Sequence, residues 1–150
     1  MNQFKLFLLK PLVSVDVAFL LLRISACAML FYKHGAEKIF DHQHMLAVFT
    51  DPHPMGDFDP IGIGKENSLW FATFTDGICS LFLFSGLWTR LASALILIDI
   101  MVSHFLVFKG SMDDHGELSL LYLTVFLIIF LIGPGKLSLD QYFFKEQSIR

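Results

Sequence analysis

Apolar residues in this chain come in four long runs divided by short polar punctuation. The runs extend roughly over residues 12–32, 69–88, 91–108 and 118–132. A helix crossing a hydrocarbon core of about 30 Å needs about 20 mostly apolar residues, and each run is close to that length. The fourth carries no charge, whereas the first holds Asp16 and Arg23, the second Asp76, and the third Asp99 and His104. Trp70 and Trp88 stand near the two ends of the second run, and Tyr32 and Tyr142 near other ends, where rings favour the headgroup level. The breaks at Trp88-Thr89-Arg90 and from Lys109 to Glu117 are short, so the second, third and fourth helices are antiparallel neighbours. The pattern predicts an all-α integral membrane fold: one domain over residues 1–150, built as an antiparallel bundle of four transmembrane helices.

Composition agrees with the pattern. Of 150 residues, 55% are hydrophobic and 17% charged, with 17 Phe, and the mean hydropathy is +0.62. A chain this small cannot hide so much apolar surface in one soluble core. A net charge of -3 offers no basic field to nucleic-acid phosphates. Cys27 and Cys79 are the only cysteines and lie inside apolar runs, which excludes a disulfide scaffold, a four-cysteine zinc site and a Cys-x-x-Cys dithiol. Lys5 and Lys10 followed by Ile24-Ser25-Ala26-Cys27 have the outline of a lipoprotein signal, but Asp16 and Arg23 interrupt its core, so the first helix is read as retained.

Four spans place both termini on one side. With the amino terminus inside, the inner side holds Lys5, Lys10, Arg90, Lys136, Lys145 and Arg150, against Lys33, Lys38, Lys65 and Lys109 outside. The positive-inside rule then expects cytoplasmic termini and an extracytoplasmic loop over residues 41–67.

The intramembrane charges are the candidate chemistry, because each is costly in lipid and has to face a partner. Asp16, Arg23, Cys27 and His34 follow at spacings of 7, 4 and 7, close to one helical face. Arg23 is expected to form an ion pair with Asp76 or Asp99. By depth, His34, Glu37, Lys38, Asp76, His104 and Glu117 gather in the outer half of the bundle, a cluster suited to relaying protons or holding a polar headgroup such as a quinone ring. A metal there is disfavoured, since Asp99 and His104 are about 140° apart around their helix. The loop histidines His42, His44 and His53 lie among turn sequences, Asp-Pro-His-Pro and Asp-Phe-Asp-Pro, that need no ion.

Several blocks, taken in order, resemble the DoxX family of small four-span bacterial membrane proteins. They are Leu21-Leu22-Arg23, His34-Gly35-Ala36-Glu37-Lys38, Asp59-Pro60-Ile61-Gly62-Ile63-Gly64, Cys79-Ser80, Ser85-Gly86-Leu87-Trp88-Thr89-Arg90-Leu91-Ala92, Glu117-Leu118 with Leu121-Tyr122-Leu123, and Gly133-Pro134-Gly135-Lys136-Leu137-Ser138-Leu139-Asp140. Asp76 stands where members commonly carry Glu, and Asp99 and His104 where they are usually apolar or small. The resemblance implies an inner-membrane four-helix protein. The family name derives from a subunit of a thiosulfate:quinone oxidoreductase, and other members are associated with membrane redox or oxidative-stress assemblies.

These readings converge on an accessory subunit of a redox system, with quinone as the candidate ligand and no other cofactor implied. A non-catalytic scaffold recruiting a partner protein and a small-solute or proton carrier are the alternatives. The expected surroundings are the lipid bilayer and either a protein partner or further copies of the chain. The block from Gly133 to Asp140 is read as the end of the fourth helix and the start of a short interfacial segment, with Tyr142, Phe143 and Phe144 on the membrane.

Overall fold

A computed structural model of the chain describes residues 12–50, 59, 62–110, 112 and 114–147, and every described regular element is helical. Lys5, Lys10, Arg150 and the turn residues Asp51, His53 and Asp57 lie outside the described residues. Helix α1 covers Val15–Phe40, α2 His42–Thr50, α3 Lys65–Ser85, α4 Thr89–Val107, α5 Asp114–Ile132 and α6 Leu139–Gln147. Helices α1, α3 and α4 are each long and apolar enough to cross a membrane, and α5 contains the shorter apolar stretch Gly116–Ile132.

Helix α1 begins where Ser14 accepts a hydrogen bond from the Val17 amide, with Asp16 in its first turn. It then runs on to Phe40 rather than stopping near Tyr32. Lys33, His34, Glu37 and Lys38 end the apolar run without breaking the helix, which passes through a π-helical stretch at Phe31–Gly35. Similar wide turns occur in α3 at Phe74–Cys79 and in α4 at Ser103–Val107. The first two are packed against each other. A Cβ at Gly35 would sit 2.5 Å from the Asp76 carbonyl oxygen, and one at Gly77 would sit 2.6 Å from the end of Ile39. Glycine at both positions therefore lets the two backbones come close enough for their polar side chains to meet.

The stretch between α1 and α3 is not wholly loop. Met45, Leu46 and Phe49 of α2 pack on Leu69 and Ala72 of α3, and His42 lies against the Trp70 ring at 4.3 Å. Helix α3 starts at Lys65, under the Asp59 carboxylate. That group accepts from the amides of Ile63 (3.0 Å) and Gly64 (2.9 Å) and from the Ser68 hydroxyl (2.9 Å). Desolvation works to raise its pKa, but these hydrogen bonds win and hold the Asp59 carboxyl below its usual range.

The main core joins Phe19, Cys27 and Leu30 of α1 to Cys79 and Leu83 of α3, Ala92, Ile96 and Ile100 of α4, and Tyr122, Phe126 and Ile129 of α5. Both cysteines are free and buried there. The hydroxyls of Thr73, Ser80 and Ser93 bond to carbonyls one turn back in their own helices, so these buried polar groups need no partner across the bundle. Large apolar side chains such as Leu21, Leu81, Leu91, Phe105, Leu121 and Leu131 cover the outside, as bilayer contact requires.

One end of the bundle is tied together by residues far apart in sequence. Gly86 (φ 74°) ends α3 in the left-handed conformation, and Trp88 (φ 48°) precedes α4. The indole cannot cap the helix that follows it. The cap comes from α6 instead: Asp140 accepts from the Trp88 amide at 2.7 Å and the Thr89 amide at 2.9 Å, while its own amide donates to the Gly86 carbonyl at 2.9 Å. A carboxylate at the positive end of α4 is also favoured by the helix dipole. We expect Asp140→Ala to destabilise the purified protein by about 2 kcal/mol, and Asp140→Asn by less because its amide keeps one acceptor oxygen. Thermal unfolding in detergent followed by circular dichroism checks the ranking, which an Asn variant as unstable as the Ala variant would contradict.

Candidate functional site

The site is built where the wide turns of α1 and α3 face each other. Lys38, near the end of α1, forms a salt bridge with Asp76 of α3, and both side chains are largely buried. Asp99 of α4 completes the group, standing beside Thr75 and Asp76 with the Lys38 ammonium close by. Asp76 and Asp99 each stand near the middle of their helices. Two carboxyl groups and one ammonium thus meet among three helices at membrane depth, where an isolated charge would be costly.

Beside this group lies a cavity of about 320 Å³. His34, Lys38, Asp76 and Asp99 supply its ionisable lining, Tyr122 of α5 and Phe71 of α3 part of its aromatic wall, and Met45 and Phe49 of α2 close one side. The His34 ring meets Tyr122 edge-on at 6.2 Å. The volume is at the lower end of the range for small-ligand sites, mostly apolar with a few convergent polar groups. Ammonium and imidazole can donate to a carbonyl-bearing headgroup, and the carboxyl groups can accept from hydroxyls or exchange protons.

Of the six residues expected to share a pocket, the structure brings together His34, Lys38 and Asp76. The other three stand apart. Glu37 is exposed, 3.9 Å from His44. Glu117 is exposed on α5, one residue from the cavity-lining Leu118. His104 is buried against the ring of Phe105, with no hydrogen-bond partner for its Nδ1 among the described residues. Its angular offset from Asp99 leaves it out of the lining while Asp99 is in it. No three His, Cys, Asp or Glu side chains are grouped for a metal among the described residues.

The expected ion pair of Arg23 with Asp76 or Asp99 is not formed. The Arg23 guanidinium donates through Nη1 to the Pro134 carbonyl and through Nη2 to the Leu137 carbonyl at 2.9 Å. A Cβ at Gly86 would lie 2.9 Å from both of these nitrogens, so Arg23 sits at the α3–α4 turn rather than beside the mid-helix carboxylates. Depth counted from the edges of an apolar run put it too far in, because α1 continues well beyond Tyr32. The chain after α5 offers carbonyls outside any helix that take the two hydrogen bonds, and the Asp140 carboxylate is near enough to act on the charge as well. Sequence reading also overlooked Asp140 as the cap of α4, although Ser138-Leu139-Asp140 was legible as a helix start.

A bundle of apolar helices with buried ionisable groups at membrane depth defines a multi-pass α-helical membrane protein. A scan of protein families matches the DoxX model over residues 18–109. The chain belongs to the DoxX family. The matched stretch carries Arg23, Lys38, Asp76 and Asp99, and stops before α5, so the blocks at Glu117 and Gly133–Asp140 lie beyond it. Searches of curated proteins and of solved structures gave no match.

The altered pairing has a thermodynamic signature. In double-mutant cycles on unfolding, Lys38→Met and Asp76→Leu should couple by about 1 kcal/mol or more, whereas Arg23→Leu and Asp76→Leu should add within about 0.5 kcal/mol. Comparable coupling in the two cycles would return Arg23 to the mid-helix cluster.

Proposed function

We propose that this protein is an accessory membrane subunit of a quinone-linked redox system and holds the quinone headgroup in the cavity beside Lys38, Asp76 and Asp99. The observation that carries the reading is this cavity: an apolar-walled space at membrane depth whose polar lining comes from His34, Lys38, Asp76 and Asp99. A quinone carbonyl takes a hydrogen bond from Lys38 or His34. Its reduction requires protons, and a carboxyl group of Asp76 or Asp99 stands where it can supply them. In this reading a partner chain brings the redox centre. The family resemblance supports it, through the oxidoreductase subunit from which the family takes its name. A proton or small-solute carrier is the second reading, favoured by the mid-helix position of the same three charges. Proton-coupled flux in liposomes, with no quinone bound, is the result that selects it.

The proposed location is the bacterial inner membrane with both termini cytoplasmic, supported by the Lys and Arg count across the spans. An engineered cysteine at Met55 is expected to react with an impermeant maleimide in spheroplasts, and one beside Arg150 to be protected; the opposite pattern reverses the topology.

Binding of a short-chain quinone to the purified protein, followed by calorimetry, tests the ligand. His34→Ala and Lys38→Met should each weaken binding about tenfold, the worth of one hydrogen bond to a charged or polarised donor. Glu37→Gln and Glu117→Gln should leave it unchanged. Wild-type protein that binds no quinone, or folded cavity variants that bind it as well as wild type, would overturn the reading.

A further inference from the structure

A second concavity lies at the opposite end of α4, away from the quinone-sized cavity. It has a volume of about 750 Å³ and is formed by Trp88, Thr89, Arg90 and Leu91 at the start of α4, Pro134 after α5, and Phe144 on α6. We propose that this groove binds an anionic phospholipid, with the phosphate on Arg90 and an acyl chain along the apolar wall.

Three independent features point to that ligand. The first is an uncommitted cation: Arg90 is exposed, and no carboxylate among the described residues lies within ion-pair distance of it. The guanidinium lies over the end of α5, where a Cβ at Gly133 would come 3.1 Å from the Arg90 Nε. Guanidinium is the side chain best matched to a phosphate, which it can grip through two parallel N–H bonds. The carboxylate of Asp140, also in the wall, is committed to the Trp88 and Thr89 amides. The second is an unmet polar group. Thr89 is fully buried and its hydroxyl has no hydrogen-bond partner among the described residues, beside the groove that the residue lines. A turn of the side chain toward the groove would give it a phosphate oxygen or a water to bond.

The third feature is place. The groove lies where α4 begins and α5 has just ended, next to the exposed rings of Trp88 and Tyr142, residue types that favour the bilayer–water boundary. Leu91 and Phe144 give it an apolar floor that a free phosphate ion would not use. A two-part molecule with one anionic group and a hydrocarbon tail fits both halves.

Native mass spectrometry of the purified full-length chain in detergent, with phosphatidylglycerol or phosphatidylcholine of identical acyl chains added, tests the assignment. Wild-type protein should retain phosphatidylglycerol about tenfold more strongly than phosphatidylcholine, the worth of one charge-assisted pair. Arg90→Gln should erase that preference and Arg90→Lys keep part of it. Equal retention of the two lipids by wild type, which needs no variant to fold, overturns the proposal, as does an unchanged preference in Arg90→Gln. Displacement of phosphatidylglycerol by millimolar inorganic phosphate also overturns it, reassigning the groove to a soluble anion.

Discussion

A positive charge inside an apolar bundle has to be met by something, and in this protein the way Arg23 is met organises one whole end of the molecule. A guanidinium at the centre of a spanning helix costs about 3 kcal/mol on insertion scales, and Arg23, fully buried but beside the α3–α4 turn, faces a cost up to that size. Two hydrogen bonds from a charged donor, each about 1.5–3 kcal/mol, offset that cost. The acceptors are the Pro134 and Leu137 carbonyls, so the segment after α5 is pinned onto α1. Once pinned there, it carries Asp140 to the start of α4. Gly86 and Gly135 are part of the same arrangement: a side chain at either would strike Arg23 or Ser138 in the first case and Phe19 in the second.

The mid-membrane charges follow a different rule. Lys38, Asp76 and Asp99 meet one another rather than backbone. Removing Lys38 from such a group leaves two carboxyl groups at membrane depth without a cation, so the ammonium holds both carboxyl groups to their geometry. Gly35 and Gly77 are what allow α1 and α3 to approach closely enough for this. Separating the two charge systems frees the mid-membrane group from bearing on how the bundle closes at the Arg23 end.

What was legible in the sequence is what hydropathy and punctuation report. The apolar runs correspond to α1, α3, α4 and α5 because lipid-facing surface must be apolar whatever the internal packing. The ends of the helices were less legible. Lys33 to Lys38 look like an exit from the membrane, yet polar side chains do not stop a helix that lacks a proline or an αL glycine. Side-chain facing failed for a further reason. A π turn takes in one extra residue, which rotates everything beyond it by about 100° relative to an unbroken α-helix. Arg23 and Cys27 precede the wide turn in α1 and both are buried, and His34 within it still lines the cavity, whereas Glu37, beyond the turn, is exposed. Arg23 was correctly read as needing a partner. That the partner is a carbonyl lay beyond any charge-matching argument, because every residue carries one.

The bonds of Arg23 span 111 and 114 residues of chain, and the cap of α4 spans 51. A chain made from its amino terminus places α1 in the bilayer long before residues 134–140 exist. Throughout that interval Arg23 has no final acceptor and the first turn of α4 has bare amides. Helix α6 therefore joins the assembly late: the end of the bundle around Arg23 and the first turn of α4 can close only after residues 134–140 have been made.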